Sequence, residues 1–273
     1  MKIFATNTQY SYVENEIIEA INAKPLDFIN HSLIEYSKKI NCSKSAISRV
    51  AKLLNFSSLN QMKLYVQEQI VLHNLYFDIH HNQSMIERIN NIKSYNNYAI
   101  NKTIEMIDLA HLKTITNQLI QAQRIHIFGV GSSYLAAYEL ANNLLKINYH
   151  ASCSQDIHNS LLVLSNFQSN DFLILFSKTA TTKEIAFLLK IIPAKKIQVL
   201  LITANETIQS RDNCFVLTHK DLNKEPRIIA TSSKICQLII SDILFYEIFF
   251  QSKKNLQLVE NTLVELGKWK KYK

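Results

Sequence analysis

The sequence predicts two domains of different class: an all-α N-terminal domain and an α/β C-terminal domain built on a parallel sheet. Three observations lead there. From about residue 12 to 122 apolar residues recur at spacings of three and four, the period of amphipathic helices, with no clean alternation. From residue 124 onward short apolar runs alternate with helical stretches, the order that builds βαβ crossovers and a parallel sheet covered on both faces. At 273 residues the chain has room for two domains of ordinary size.

In the first half, Pro25 and the run Asn41-Cys42-Ser43 interrupt the helical period. Two short amphipathic helices are expected over about 33–39 and 44–54, with a turn near 40–43. Ser43 is placed to cap the second of them, and Asn55 suits the left-handed conformation at its end. The His- and Asn-rich stretch 80–102 has no strong period and is the expected linker. Beyond it the strand candidates are Ile125–Phe128, Ala151–Cys153, Phe172–Phe176, Val199–Ile202 and Phe215–Leu217. Helical segments near 133–147, 157–165 and 181–192 lie between them, and a long one spans about 229–252. The expected division is 1–79, a linker over 80–106, and 107–273.

Composition narrows the class. Thirty Lys and Arg against 22 Asp and Glu give a net charge of +8. There are three glycines, where average usage would give about nineteen, and this excludes collagenous and Gly-rich low-complexity chains. At 47% apolar the chain can bury a sizeable core. Its start has no apolar secretory region, and the best membrane candidate, 237–250, contains Asp242 and Glu247. Cys42, Cys153, Cys214 and Cys236 are scattered without a CxxC pair, which points to reduced thiols rather than disulfides or zinc. A soluble, cytoplasmic protein with no cofactor, no metal and no membrane segment is expected.

The basic charge is concentrated. Residues 30–66 hold six basic side chains and one acidic, Glu35. On the helix expected at 44–54, Ile47, Val50 and Leu54 share one face. Lys44, Ser45, Ser48, Arg49 and Lys52 then point outward, with Ser43 at the N-terminus. Hydroxyls and a guanidinium there suit base edges in a major groove, and the lysines suit phosphate. The same pattern also fits a solvated face on an ordinary helical hairpin.

Two loops carry the other signal. Gly129-Val130-Gly131-Ser132-Ser133 joins a strand to a helix and holds two of the three glycines. A helix N-terminus after such a turn presents N–H groups and a positive dipole end to an anion. The pattern is neither GxGxxG nor a Walker motif, and a tight turn with serine as cap explains it as well. The second loop, Ser177-Lys178-Thr179-Ala180-Thr181-Thr182-Lys183-Glu184, is dense in hydroxyls. Thr181 and Glu184 fit a T-x-x-E capping box, leaving Ser177, Thr179 and Thr182 to grip phosphate oxygens. Both loops fall at carboxyl ends of parallel strands, where open α/β sheets place ligands.

These segments resemble a known family. Residues 33–67, through Ser43, Ile47, Arg49, Leu54 and the tail 56–63, look like the helix-turn-helix of RpiR-type bacterial regulators. Asn55 stands where that family usually has Gly, and Ala46 where it usually has Thr. Residues 124–250 resemble the SIS (sugar isomerase) domain. Gly129, Gly131 and Ser133 match its first loop, and Ser177, Thr179 and Thr182 match its SxSGxT loop. Thr179 replaces Ser there and Ala180 replaces Gly, while Thr203-Ala204-Asn205-Glu206 lacks the Ser-Pro that often follows. The segment 233–244 looks like the domain's last helix.

The resemblance implies a parallel, flavodoxin-like five-stranded sheet (the SIS fold) behind the helix-turn-helix domain, and a regulator that binds double-stranded DNA. It implies a phosphosugar effector held by Gly131, Ser132, Ser133, Ser177, Thr179 and Thr182, with Ser43, Lys44, Ser45, Ser48, Arg49 and Lys52 on DNA. A homodimer or higher homo-oligomer is expected, because helix-turn-helix proteins commonly read paired half-sites. The alternatives are a sugar-phosphate isomerase, with His158, Glu184 or Glu225 as base, a SIS module without ligand response, and a basic helix that contacts protein or RNA. The basic tail 268–273 is expected as a frayed helix end.

Overall fold

The structure, a computed structural model, describes residues 3–7, 9–73, 84–222 and 230–272. It divides into two compact units, residues 1–98 with 222–226 and residues 99–221 with 227–273. The first holds α1 (Tyr12–Ala23), α2 (Pro25–Asn30), α3 (Leu33–Lys39), α4 (Lys44–Leu53), α5 (Leu59–His73) and most of α6 (Met85–Glu105). The second runs α7 (Leu109–Gln121), β1 (Ile125–Gly129), α8 (Ser133–Lys146), β2 (Ala151–Ser154), α9 (Ile157–Ser165) and β3 (Phe172–Phe176). It continues with α10 (Lys183–Ile191), β4 (Gln198–Thr203), β5 (Cys214–Thr218), α11 (Ser232–Phe249) and α12 (Lys254–Lys271).

Local chemistry sets the helix limits in the first unit. Ser11 with Glu14 and Ser32 with Glu35 form reciprocal capping boxes on α1 and α3, and Pro25 opens α2 where a missing N–H costs nothing. The faces left apolar, Ile17, Ile18, Ile21, Phe28, Tyr36, Ile47, Val50, Met62 and Val66, are buried in one cluster. Each such side chain stabilises the fold by roughly 1.5–3 kcal/mol through water-excluded area.

Both ends of the helix-turn-helix are closed the same way. Asn41 follows α3 with φ 54°, and the N–H of Cys42 reaches the Ser37 carbonyl at 3.0 Å. Asn55 follows α4 with φ 63°, and the N–H of Phe56 reaches the Ala51 carbonyl at 2.9 Å. These are Schellman closures with Asn in the left-handed position that Gly usually fills. The expected turn at 40–43 and the end of the second helix are therefore both found.

In the second unit the five strands are all parallel, in the order β2-β1-β3-β4-β5. β1 and β3 are buried along their whole length, as the apolar run of β3 requires, with His126 the one polar side chain inside β1. One core lies under α7, α8 and α11, with Ile127, Ile174, Leu140 and Leu244; a second holds Leu173, Leu175, Leu164 and Leu188, from β3, α9 and α10. Helices thus cover both faces of the sheet. No single helix among the described residues is long and apolar enough to cross a membrane.

Two segments differ from expectation. Within the stretch expected as a linker, residues 85–105 form the single helix α6. Its sequence hid the helix because Asn, Lys and Tyr are interleaved with the isoleucines, while Ile86, Ile89 and Ile92 lie exposed. Residues 80–83 of that stretch lie outside the described residues. The chain also does not end with α11: α12 follows, and Lys268–Lys271 are its helical last turn rather than a frayed end. Leu256, Val259, Leu263 and Leu266, spaced three and four apart, are the signal that marks it.

The left-handed closure of α4 gives the first prediction. Asn55→Ala should cost about 1 kcal/mol, because a β-carbon without asparagine's local hydrogen bonding is strained there, whereas Asn55→Gly should stay within about 0.5 kcal/mol. Urea unfolding midpoints of the two variants check this.

Candidate functional site

The helix-turn-helix places its outward residues as the spacing requires. Ala46, Ile47, Val50 and Ala51 are buried, whereas Lys44, Ser45, Arg49 and Lys52 are exposed and Ser48 is half-buried. Ser43 heads the helix: its Oγ accepts the Ala46 N–H at 3.1 Å and lies 3.0 Å from Ser45 Oγ. Capping thus accounts for Ser43 locally. What remains outside is one continuous polar and cationic face at the N-terminal end of α4.

The second site follows from the strand order. The chain leaves β1 for β2 on one side and returns to β3 on the other, so β1 and β3 are neighbours from which the connections diverge. In doubly wound sheets such a divergence, at the carboxyl edge, is where the ligand crevice lies. Gly129 pairs in register with Phe176, so Gly131–Ser133 and Ser177–Thr182 begin side by side. Of the residues expected to hold phosphate, the fold gathers all six at this edge.

Each loop has its own construction. A β-carbon on Gly129 would lie 2.8 Å from the Ser133 carbonyl oxygen, so this glycine permits the close approach of strand and helix. Gly131 has φ 61°, the left-handed region. In the second loop Ser177 is buried and its Oγ accepts the Ala180 N–H at 3.1 Å. Thr179 Oγ1 accepts from Thr181 Oγ1 at 2.8 Å and from the Thr181 N–H at 3.3 Å. The expected T-x-x-E capping box is not formed: the residue ahead of α10 is Thr182, and the Thr181 hydroxyl turns back to Thr179. The helix simply begins one residue later than that motif requires.

Capping separates structure from function here. Ser11, Ser32, Ser43, Asp108 and Asp156 each bond the first turn of the helix they precede. Ser132 before α8 and Thr182 before α10 make no such side-chain bond, and neither does Thr231 before α11. All three stand at the carboxyl edge of the sheet. Ser132 and Thr182 flank the crevice with hydroxyls not committed to capping, at the positive ends of two helices.

The surrounding polar groups are paired. Lys178 Nζ lies 3.0 Å from Asp221 Oδ2, both side chains largely buried, and Asp221 Oδ1 accepts from Ser232 Oγ at 2.9 Å. His126, in the middle of β1, lies 2.8 Å from Ser152 Oγ and 2.9 Å from Ser160 Oγ. His219 is fully buried beside Gln237 Nε2, at 3.3 Å. Burial pushes both histidines down to about 4. Of the candidate bases, His158 is exposed on α9, Glu184 sits half-buried in the first turn of α10, and Glu225 lies outside the described residues. No group of His, Cys, Asp and Glu among the described residues is arranged to hold a metal. A separate cleft of about 440 Å³, lined by Asp108, His111, Glu206, Ser210 and Thr218, lies beside β5. Its polar groups are already engaged, His111 Nε2 with the Val216 carbonyl at 3.2 Å and Glu206 with Lys220 at 3.1 Å.

The sheet order and its covering helices define a domain of the SIS class, and comparison agrees: residues 118–246 match the SIS domain family. The curated proteins that align with the chain are HTH-type transcriptional regulators, 22–25% identical, and the alignments span 62–92% of those proteins. HexR of Escherichia coli is 22% identical over 251 residues, covering 89% of this chain and 85% of HexR. Among solved structures, NanR of Vibrio vulnificus, determined in complex with ManNAc-6P, shares 17% identity at a TM-score of 0.61 over 96% of this chain and 95% of NanR. The sugar isomerase domain of an RpiR transcription factor from Sphaerobacter thermophilus shares 14% identity at a TM-score of 0.58, over 67% of this chain and 99% of that one. The resemblance to RpiR-type regulators is borne out in its parts: the C-terminal domain is an SIS domain, and the relatives aligned over most of the chain are HTH-type transcriptional regulators.

Two predictions follow from the site. Ala180 has φ 59° and is buried. Its left-handed backbone costs roughly 1–2 kcal/mol, but the buried methyl returns about 0.8 and glycine's extra unfolded freedom about 0.5–1 kcal/mol. Ala180→Gly should therefore change stability by less than about 1 kcal/mol, while the β-branched Ala180→Val should lose more than about 2 kcal/mol. Denaturant titration of both variants tests the balance. The histidines set a pH dependence. Their folded-state values lie below the ordinary 6.5, so the unfolded chain binds more protons as pH falls below that value. Stability is complete above 6.5 and drops towards pH 4 by up to about 1.4 kcal/mol per pH unit for each histidine. His126→Gln should remove about half of this slope in urea melts between pH 7 and 5.

Proposed function

We propose that the protein is a bacterial transcriptional regulator that binds operator DNA through α4 and senses a phosphosugar in the β1/β3 crevice, controlling genes of carbohydrate metabolism. The observation that carries this reading is the pair Ser132 and Thr182, two hydroxyls at helix starts that leave capping undone where the strands diverge. A chain with a cationic recognition helix and such a crevice has separate places for an operator and an effector. That the relatives are HTH-type transcriptional regulators, and that NanR was solved with ManNAc-6P, supports the assignment.

On DNA, Ser45, Ser48 and Arg49 read base edges, Lys44 and Lys52 contact phosphate, and Ser43 holds the helix start in place. The protein acts as a homodimer on paired half-sites. Effector bound by Gly131, Ser132, Ser133, Ser177, Thr179 and Thr182 favours one arrangement of the dimer, and that differential affinity changes operator binding. Sensing is favoured over isomerisation because an isomerase has no need of a DNA-binding module ahead of its SIS domain, and the buried histidines are neutral core residues. The protein works in the cytoplasm.

Gel shifts on the DNA upstream of its own gene test the reading. Arg49→Ala should weaken the specific complex by about 1–3 kcal/mol and relax its sequence preference, whereas Lys52→Ala should weaken all complexes and lower the salt slope by about one. A thermal-shift screen of phosphosugars, ManNAc-6P and arabinose 5-phosphate among them, should raise the transition of the wild type and not of Thr182→Val. Turnover of any of these sugars by the purified chain would overturn the sensor reading.

A further inference from the structure

The loop after β4, Thr203-Ala204-Asn205-Glu206, lacks the Ser-Pro that often follows in SIS domains, and the structure gives its first three residues a task. The Lys178 carbonyl accepts two hydrogen bonds from this loop, from the Ala204 N–H at 2.8 Å and from Thr203 Oγ1 at 2.9 Å. The next carbonyl, Thr179, accepts from Asn205 Nδ2 at 3.2 Å. Thr203 Oγ1 in turn receives the Asn205 N–H at 3.1 Å, so the hydroxyl locks both latches together. The Lys178 side chain is drawn away as well, to Asp221.

A trans peptide holds its C=O and N–H on opposite sides. Pulling the carbonyls of Lys178 and Thr179 toward the β4 loop therefore turns the N–H groups of Thr179 and Ala180 the other way. β3 stands between β4 and β1, so that other way is the side of the β1 loop. The Ala180 N–H is taken by Ser177 Oγ, within its own turn. The Thr179 N–H is the donor this arrangement turns toward the crevice.

We propose that Thr203 and Asn205 are positioning residues which fix the second loop so that the backbone N–H of Thr179 serves as a phosphate donor. This rests on the crevice being the phosphosugar site. With Lys178 bound to Asp221, that donor works beside neutral hydroxyls rather than beside the lysine's charge.

The test is a titration of the full-length protein, amide-labelled for NMR, with inorganic phosphate and with ManNAc-6P. In the wild type the Thr179 amide should shift together with those of Gly131–Ser133. Thr203→Val, nearly isosteric, should weaken binding about tenfold, and Thr203→Ser, which keeps the hydroxyl, should restore it. Asn205→Asp keeps the acceptor that Thr207 uses but lacks the Nδ2 donor, and should weaken binding to a similar degree. Thermal midpoints of all three should stay near the wild type; should Thr203→Val fail to fold, Asn205→Asp decides. Wild-type binding at the loops with Thr203→Val or Asn205→Asp within twofold of it overturns the inference and leaves the site standing. If neither ligand moves the amides of either loop in the wild type, the site itself is refuted and the inference with it.

Discussion

The parallel pairing of β1 with β3 decides where everything else in the C-terminal domain goes. Two strands buried on both faces need helices on both sides, and the right-handed crossovers that supply them must leave the sheet in opposite directions from this pair. Gly129 and Phe176 end the pairing at the same level, so the two hydroxyl-rich loops start together without further guidance. The crevice is thus a consequence of strand order, and the polar residues only have to occupy it. His126, inside β1, shows how strict that burial is: its ring is held neutral between two serine hydroxyls rather than left charged.

Glycine scarcity is the second constraint. Seven described residues have positive φ, and only Gly131 among them is glycine. Asn41, Asn55 and Asn148 close α3, α4 and α8 in the left-handed position, each followed by an N–H that reaches back to the helix. Asparagine is the best substitute because its short amide can bond locally. Ala180 has no such help, yet its methyl is buried in the core under α10, and this offsets much of the strain. The chain keeps glycine at Gly129, where a β-carbon would meet the α8 backbone, and at Gly131. Asparagine solves the helix ends, and the second crevice loop relies on burial and on its ties to the β4 loop.

Much of this was legible in the sequence, because strand and helix periods depend on which faces are apolar, and those faces are unambiguous from Ile125 to Leu217. The helix-turn-helix was legible for the same reason, helped by Ser43 and Asn55 at its punctuation points. Helix α6 was not, since its partners are the tyrosines and polar groups of a helical packing, among them Gln67 bonded to the Ser94 carbonyl, which carry no apolar stripe. The capping box at Thr181 failed because a local motif competes with tertiary context: the Thr179–Thr181 hydroxyl pair pulls the residue out of register with α10. The two loops and their hydroxyls could be placed at the strand ends in advance. Its bracing could not, because hydrogen bonds between the loops of adjacent strands leave no periodic trace.

The two proposed sites would both address phosphate, but by different physics. On α4 the exposed Lys44, Arg49 and Lys52 would offer their charge to a polyanion, and binding there would gain from released counterions and weaken steeply with salt. At the crevice Lys178 is bound to Asp221 and Lys183 opens α10 exposed to solvent, and the other proposed donors are hydroxyls and backbone amides at helix starts. Such donors act through direction and short distance, so they select a single phosphate that fits and gain little from a long charged chain.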